Sequence, residues 1–80
     1  MASTTEHTLD ELKSGQQAVV RRIGGSGAIR RRLMDMGLVR GVVVEMLKTA
    51  PLDDPVEYKL RGYHLSLRRS EARMVEVEIG

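Results

Sequence analysis

Apolar and polar residues alternate most cleanly from Val56 to Arg61, where Val56, Tyr58 and Leu60 share one side and Glu57, Lys59 and Arg61 the other. Successive side chains of a strand point to opposite faces, so this period predicts a half-buried β-strand. The same alternation runs from Tyr63 to Leu67, placing Tyr63, Leu65 and Leu67 inward and His64 and Ser66 outward. It returns from Met74 to Ile79, with Val75, Val77 and Ile79 inward and Glu76 and Glu78 outward. Gln17 to Ile23 and Val42 to about Thr49, rich in branched residues, predict two further strands. In the first of these Val19 and Ile23 share one face and Val20 takes the other. Adjacent Arg21 and Arg22 must then point opposite ways, one of them over the core edge or at a barrel rim.

One stretch breaks the two-residue period. Ile29, Leu33 and Met36 fall at i, i+4 and i+7, the spacing of one helix face. Ser26 is a good N-cap for that helix, and Gly37 a good stop because glycine adopts the left-handed conformation without steric cost. Leu38 can then fold back onto Leu33. Val39-Arg40-Gly41 reads as a tight turn, Gly62 as another, and Ala50 to Pro55 as a proline-bearing loop. Thr8-Leu9-Asp10-Glu11 has the form of a capping box, followed by Leu9 and Leu12 directed to the core. A second helical turn is expected at 70–73, capped by Ser70. The prediction is a mainly β fold: a small SH3-like barrel of about five strands, closed or nearly so, with a short helix after the first strand. Residues 1–7 are expected to form a loose tail and 8–80 the domain, with Gly24, Gly37, Gly41 and Gly62 as structural turn residues.

Eighty residues fit one domain that buries only about 60–65% of its unfolded surface, which leaves no interior for an enclosed cofactor. No cysteine is present, so disulfides, thiolate metal sites and cysteine nucleophiles are excluded. No apolar run reaches the roughly 18–20 residues of a membrane span, and the first residues lack the form of a secretion signal. A cytoplasmic protein is therefore expected. Net charge is only +2, yet residues 21–40 carry Arg21, Arg22, Arg30, Arg31, Arg32 and Arg40 against the single acid Asp35. Such asymmetry hints at a charged partner.

Three consecutive arginines in the first half of the helix oppose the macrodipole at a cost of a few tenths of a kcal/mol. Arg31 and Asp35, at i and i+4 in the weaker orientation, offset little of it. Charge alone leaves two readings: a solvated face, or a surface for an acidic partner or phosphate. Catalysis lacks its parts, since His7 falls in the expected tail and His64 on an outer strand face. A metal site needs three or four convergent ligands, and His64 has only Glu57 or Ser66 nearby, so none is expected. Gly24, Gly25 and Gly27 precede a helix as in phosphate loops, but Arg30 stands where the dinucleotide fingerprint needs glycine, and the Lys-Ser/Thr of the triphosphatase loop is absent. Nucleic acid is not expected either. Single-strand binders stack bases on aromatic platforms, and Tyr58 and Tyr63 are the only aromatic residues.

The run Arg32-Leu33-Met34-Asp35-Met36-Gly37-Leu38, the turn glycine Gly41, Ala50-Pro51-Leu52-Asp53-Asp54-Pro55-Val56 and Arg61-Gly62-Tyr63-His64-Leu65-Ser66-Leu67-Arg68 together resemble the FeoA family. So does the ending, Glu71-Ala72 with Val75-Glu76-Val77. The resemblance spans about residues 8–79. It implies an SH3-like barrel acting as a cytoplasmic, non-enzymatic accessory of bacterial ferrous iron uptake. The implied partner is the cytoplasmic part of the GTPase permease FeoB. Related domains end metal-dependent transcription regulators, which gives the alternative of a regulatory or nucleic-acid-associated domain. A metal-sensing domain is a third possibility, in which His64 would matter. Two positions depart from the family pattern: Arg40 stands where proline is usual, and Asp53 where glycine is frequent. Arg30, Arg31, Met34 and Arg40 are the expected partner-binding residues, the arginines for charge and Met34 for adaptable apolar contact. No cofactor is expected, and weak self-association is open.

Overall fold

A computed structural model describes residues 7–79. The elements are β1 His7–Thr8, a 3-10 turn Leu9–Glu11, β2 Gln17–Ile23, α1 Gly27–Asp35, β3 Val43–Thr49, β4 Val56–Leu60, β5 Tyr63–Leu67, α2 Arg69–Ala72 and β6 Val75–Ile79. The strands form one antiparallel sheet in the order β1-β6-β2-β3-β4-β5. This is the expected small β fold with a helix after the long first strand, but with six strands and an unclosed ladder. The extra strand is β1, whose two residues pair with Val77 and Glu76 and are too few to show a period. The sheet thus takes in His7, one residue of the stretch assigned to a tail; residues 1–6 lie outside the described residues.

Between the two sheet edges, α2 packs on the 3-10 turn. Arg69 donates from Nη1 to the Asp10 carbonyl at 3.3 Å, and Arg73 meets the Asp10 carboxylate at 3.3 Å. In the capping box, the Glu11 carboxylate accepts the Thr8 N–H at 3.1 Å. A hydrogen bond from His7 and this one hold the Glu11 carboxyl below its ordinary value. The helical turn expected from Ser70 starts earlier, with Arg68 as N-cap, because Glu71 reaches back to the Arg68 N–H at 2.9 Å.

The core is aliphatic. Leu9, Val20, Leu33, Leu38, Val44, Leu60, Leu67 and Val75 are among its buried residues, with Tyr58 as its largest side chain. The Tyr58 hydroxyl donates to the Leu9 carbonyl at 3.0 Å, fastening β4 to the 3-10 turn. Burial pushes that hydroxyl far above its ordinary value of 10.0, and the Asp10 carboxylate acts in the same direction. The folded state therefore keeps a proton that the unfolded chain releases. This contribution to stability is complete below about pH 10 and is lost as pH rises beyond it. Tyr58→Phe is expected to remove that alkaline component, and to lower stability at neutral pH by about 1–3 kcal/mol by orphaning the Leu9 carbonyl. Urea midpoints from about pH 8 to about pH 11 check this; an identical alkaline decline in both proteins contradicts it.

Strand β2 departs from the simple alternation. Val20 faces Val77 and Arg22 faces Glu76, so Arg21 is an extra residue in a β-bulge. The bulge resets the period: Ala18, Val20 and Ile23 are all buried, while Val19 is only half-buried. Arg21 and Arg22 consequently both face solvent, where they pair with Glu78 at 2.9 Å and Glu76 at 3.0 Å. Neither lies over the core. Tyr63, expected inward, is exposed at the start of β5, and its hydroxyl donates to the Met36 carbonyl at the end of α1.

Candidate docking groove

Helix α1 owes its position to its two ends. Ser26 is the N-cap residue, with extended backbone and a carbonyl that accepts the Arg30 N–H at 2.9 Å, although its hydroxyl makes no capping bond. At the other end Gly37 takes a φ of 100°. Its N–H bonds the Met34 carbonyl at 2.9 Å, and the Leu38 N–H bonds the Leu33 carbonyl at 3.2 Å, a Schellman ending with both leucines buried. Leu33 is fully buried, and Ile29 and Met36 pack against the core that holds it, as the apolar spacing implies. Before the helix, the positive φ falls on Gly25 rather than Gly24, whose N–H bonds the Met74 carbonyl at 2.7 Å. A Cβ at Gly25 would lie 2.7 Å from the Met74 sulfur. Gly41 and Gly62 both have positive φ at turns.

These constraints set α1 beside the bulged end of β2, and the chain leaving the helix turns back between them. An open groove of about 250 Å³ results. Its apolar lining is Val20, Ile23 and Leu38, with half-buried Val39 and with Met34, which is 40% exposed. Arginines line it as well: Arg21 and Arg22 from β2, Arg30 from α1 and Arg40 from the turn.

The four cations are not equivalent. Arg21 and Arg22 are balanced by the carboxylates of β6. Arg30 donates from Nε to the Ile23 carbonyl at 3.2 Å, which ties its guanidinium to the groove without neutralising it. Neither Arg30 nor Arg40 forms an ion pair among the described residues. Of the four expected partner-binding residues, Arg30, Met34 and Arg40 thus meet at one groove. Arg31 is exposed on α1 but does not line it. Arg32 is turned toward α2, pairing with Glu71 at 2.9 Å. Sequence patterning does not reveal the contributions of Val39 and of the two β2 arginines; its one hint is the pair of adjacent arginines that a regular strand cannot place comfortably.

A larger cavity of about 470 Å³ lies along the 50–55 loop, lined by Lys48, Pro51, Pro55, Glu57 and Ser66 among others. Its two charged lining residues face each other, with Lys48 at 4.0 Å from Glu57. Among the described residues no group of three or more His, Asp or Glu side chains is placed to hold a metal ion. No helix among them is long and apolar enough to cross a membrane.

The FeoA domain family matches residues 7–79. The chain belongs to the FeoA family. A fusion protein of Fe(2+) transport protein A and the Fe(2+) transporter FeoB from Porphyromonas gingivalis is 45% identical over 71 residues, covering 89% of this chain. This chain spans 8% of that fusion protein's length. The solution structure of FeoA from Chlorobium tepidum superposes with a TM-score of 0.84 at 46% identity, covering 91% of this chain and 70% of the other. FeoA of Stenotrophomonas maltophilia, a prokaryotic SH3 domain protein crystallised with zinc, gives 0.80 at 34% identity, covering 90% of this chain and 89% of the other. The expected SH3-like class is therefore the right one. A manganese-dependent transcriptional repressor shares the fold at a TM-score of 0.86 over 98% of this chain and 38% of its own length, but at 15% identity the likeness extends to fold alone.

Proposed function

We propose that this FeoA-family protein is a non-enzymatic cytoplasmic accessory of ferrous iron uptake that docks on the cytoplasmic part of a FeoB permease and assembles or modulates it. The observation that carries the reading is the Porphyromonas gingivalis relative, in which a domain 45% identical to this one is joined to a FeoB transporter in a single chain. Covalent joining raises the effective concentration of two modules that work together, so a modest contact then suffices. Docking between separate chains needs a surface that holds without such a tether. The groove beside α1 supplies one, with an apolar lining for contact area and uncompensated arginines for orientation and approach.

Calorimetry of this chain with the cytoplasmic part of its host's FeoB tests the reading. Reversing Arg30 and Arg31 to Glu is expected to weaken docking at least about tenfold by replacing attraction with like-charge repulsion. The thermal midpoint is expected to fall by no more than about 8 °C, since both side chains are exposed and only the Arg30 bond to the Ile23 carbonyl is lost. Unchanged affinity contradicts docking through this helix, and a large fall in midpoint means that the arginines are structural. Competition by bulk nucleic acid separates this reading from a regulatory, nucleic-acid-associated domain, which is expected to lose the permease fragment to the competitor.

A further inference from the structure

We propose that the groove takes an extended acidic segment of a partner protein, seating one aliphatic side chain against Met34 and Val39 between carboxylates held by Arg30 and Arg40. This rests on the docking reading and goes further by naming the chemistry of what is docked. Three observations select that ligand. First, the lining is aliphatic, with Val20, Ile23 and Leu38 buried and Met34 and Val39 more exposed, and no aromatic residue among the described ones lines the groove. A base has nothing to stack on, whereas a Leu or Ile side chain has a complementary surface. Second, its volume of about 250 Å³ suits one or two side chains of a passing chain better than a whole small-molecule ligand.

Third, the charge is local. Glu78 and Glu76 satisfy the two β2 arginines, leaving Arg30 and Arg40 as the lining cations outside any ion pair among the described residues. The Nε bond to the Ile23 carbonyl already restrains the Arg30 guanidinium, so less side-chain freedom is lost when it receives a carboxylate. Met34, at 40% exposure, can adjust its unbranched side chain to the aliphatic residue between the two acids. Arg31 sits on the same helix with the same charge but away from the groove, and so serves as an internal control.

The test is an NMR titration with the capped peptide Glu-Leu-Glu-Glu-Leu-Glu at low salt. Shifts are expected at Val20, Ile23, Met34, Val39 and Arg40. Arg30→Gln and Arg40→Gln are each expected to weaken binding roughly five- to tenfold, and Arg31→Gln by less than about twofold, with thermal midpoints checked for all three. A peptide with both leucines replaced by glycine is expected to bind at least about fivefold more weakly. The proposal is overturned by shifts centred elsewhere, by no shifts at millimolar peptide, or by equal losses for Arg31→Gln and Arg30→Gln. Equal binding of the leucine-free peptide, or tighter binding of a thymine oligonucleotide of equal charge, also overturns it. If the peptide binds here while the FeoB fragment does not bind at all, the groove chemistry stands and the choice of partner fails. If the fragment occupies the groove and the peptide does not, the reverse holds.

Discussion

Gly37→Ala is expected to lower stability by about 2–3 kcal/mol, a fall of roughly 8–24 °C in thermal midpoint for a domain of this size. Two effects act together. The backbone φ of 100° lies where a Cβ is strained, at about 1–2 kcal/mol. The added methyl also runs into the Tyr63 hydroxyl, which is occupied in its bond to the Met36 carbonyl. Losing that bond adds about 1 kcal/mol. Gly41→Ala separates the two, because Gly41 has a similar φ of 92° but open space around it. Its expected loss is only the backbone part, about 1–2 kcal/mol. Thermal unfolding of the two variants side by side checks the account. Equal losses mean that the contact between Tyr63 and the end of α1 contributes nothing.

Leu33→Ala is expected to be the most damaging single truncation on α1, at about 2–5 kcal/mol. Leu33 is the helix's one fully buried residue and joins it to the core. A chain of this length has only about 4–12 kcal/mol of stability in all, so the variant should be partly unfolded near its working temperature. Urea denaturation should show a much lower midpoint with an unchanged slope, since the same surface is exposed on unfolding. Ile29→Ala, at a half-buried position on the same face, is expected to cost distinctly less. A Leu33→Ala loss below about 1 kcal/mol contradicts the packing described for α1.

What could be read from the sequence follows from how local its causes are. Strands β4, β5 and β6 announce themselves because alternation is a property of neighbouring residues, and α1 because its apolar spacing and its closing glycine lie within about a dozen positions. Most of the misses are non-local; the N-cap of α2 is the exception, since Glu71 and Arg68 lie three residues apart. Simple alternation puts Val19 on the face of Ile23, because the bulge at Arg21 is defined by the partner strand β6, not by β2 itself. Strand β1 exists only through its pairing with Val77 and Glu76. Alternation along the strand turns Tyr63 inward, yet the end of α1 offers its hydroxyl a carbonyl at the surface. For the groove, exposure of Arg30, Arg31 and Met34 was legible from helix geometry. That Arg30 and Met34 converge with Arg40 while Arg31 does not depends on where the Val39–Gly41 turn lands.

Docking on a FeoB permease through the α1 side of the domain is open to a direct test, a heteronuclear NMR titration of this chain with the cytoplasmic part of its host's FeoB. The account predicts shifts centred on residues 28–41, spreading to Val20 and Ile23 across the groove. Shifts confined instead to the 50–55 loop and the cavity beside it would keep the partner and contradict the site. No shifts at high micromolar fragment, with or without bound nucleotide, would contradict docking on the cytoplasmic part itself.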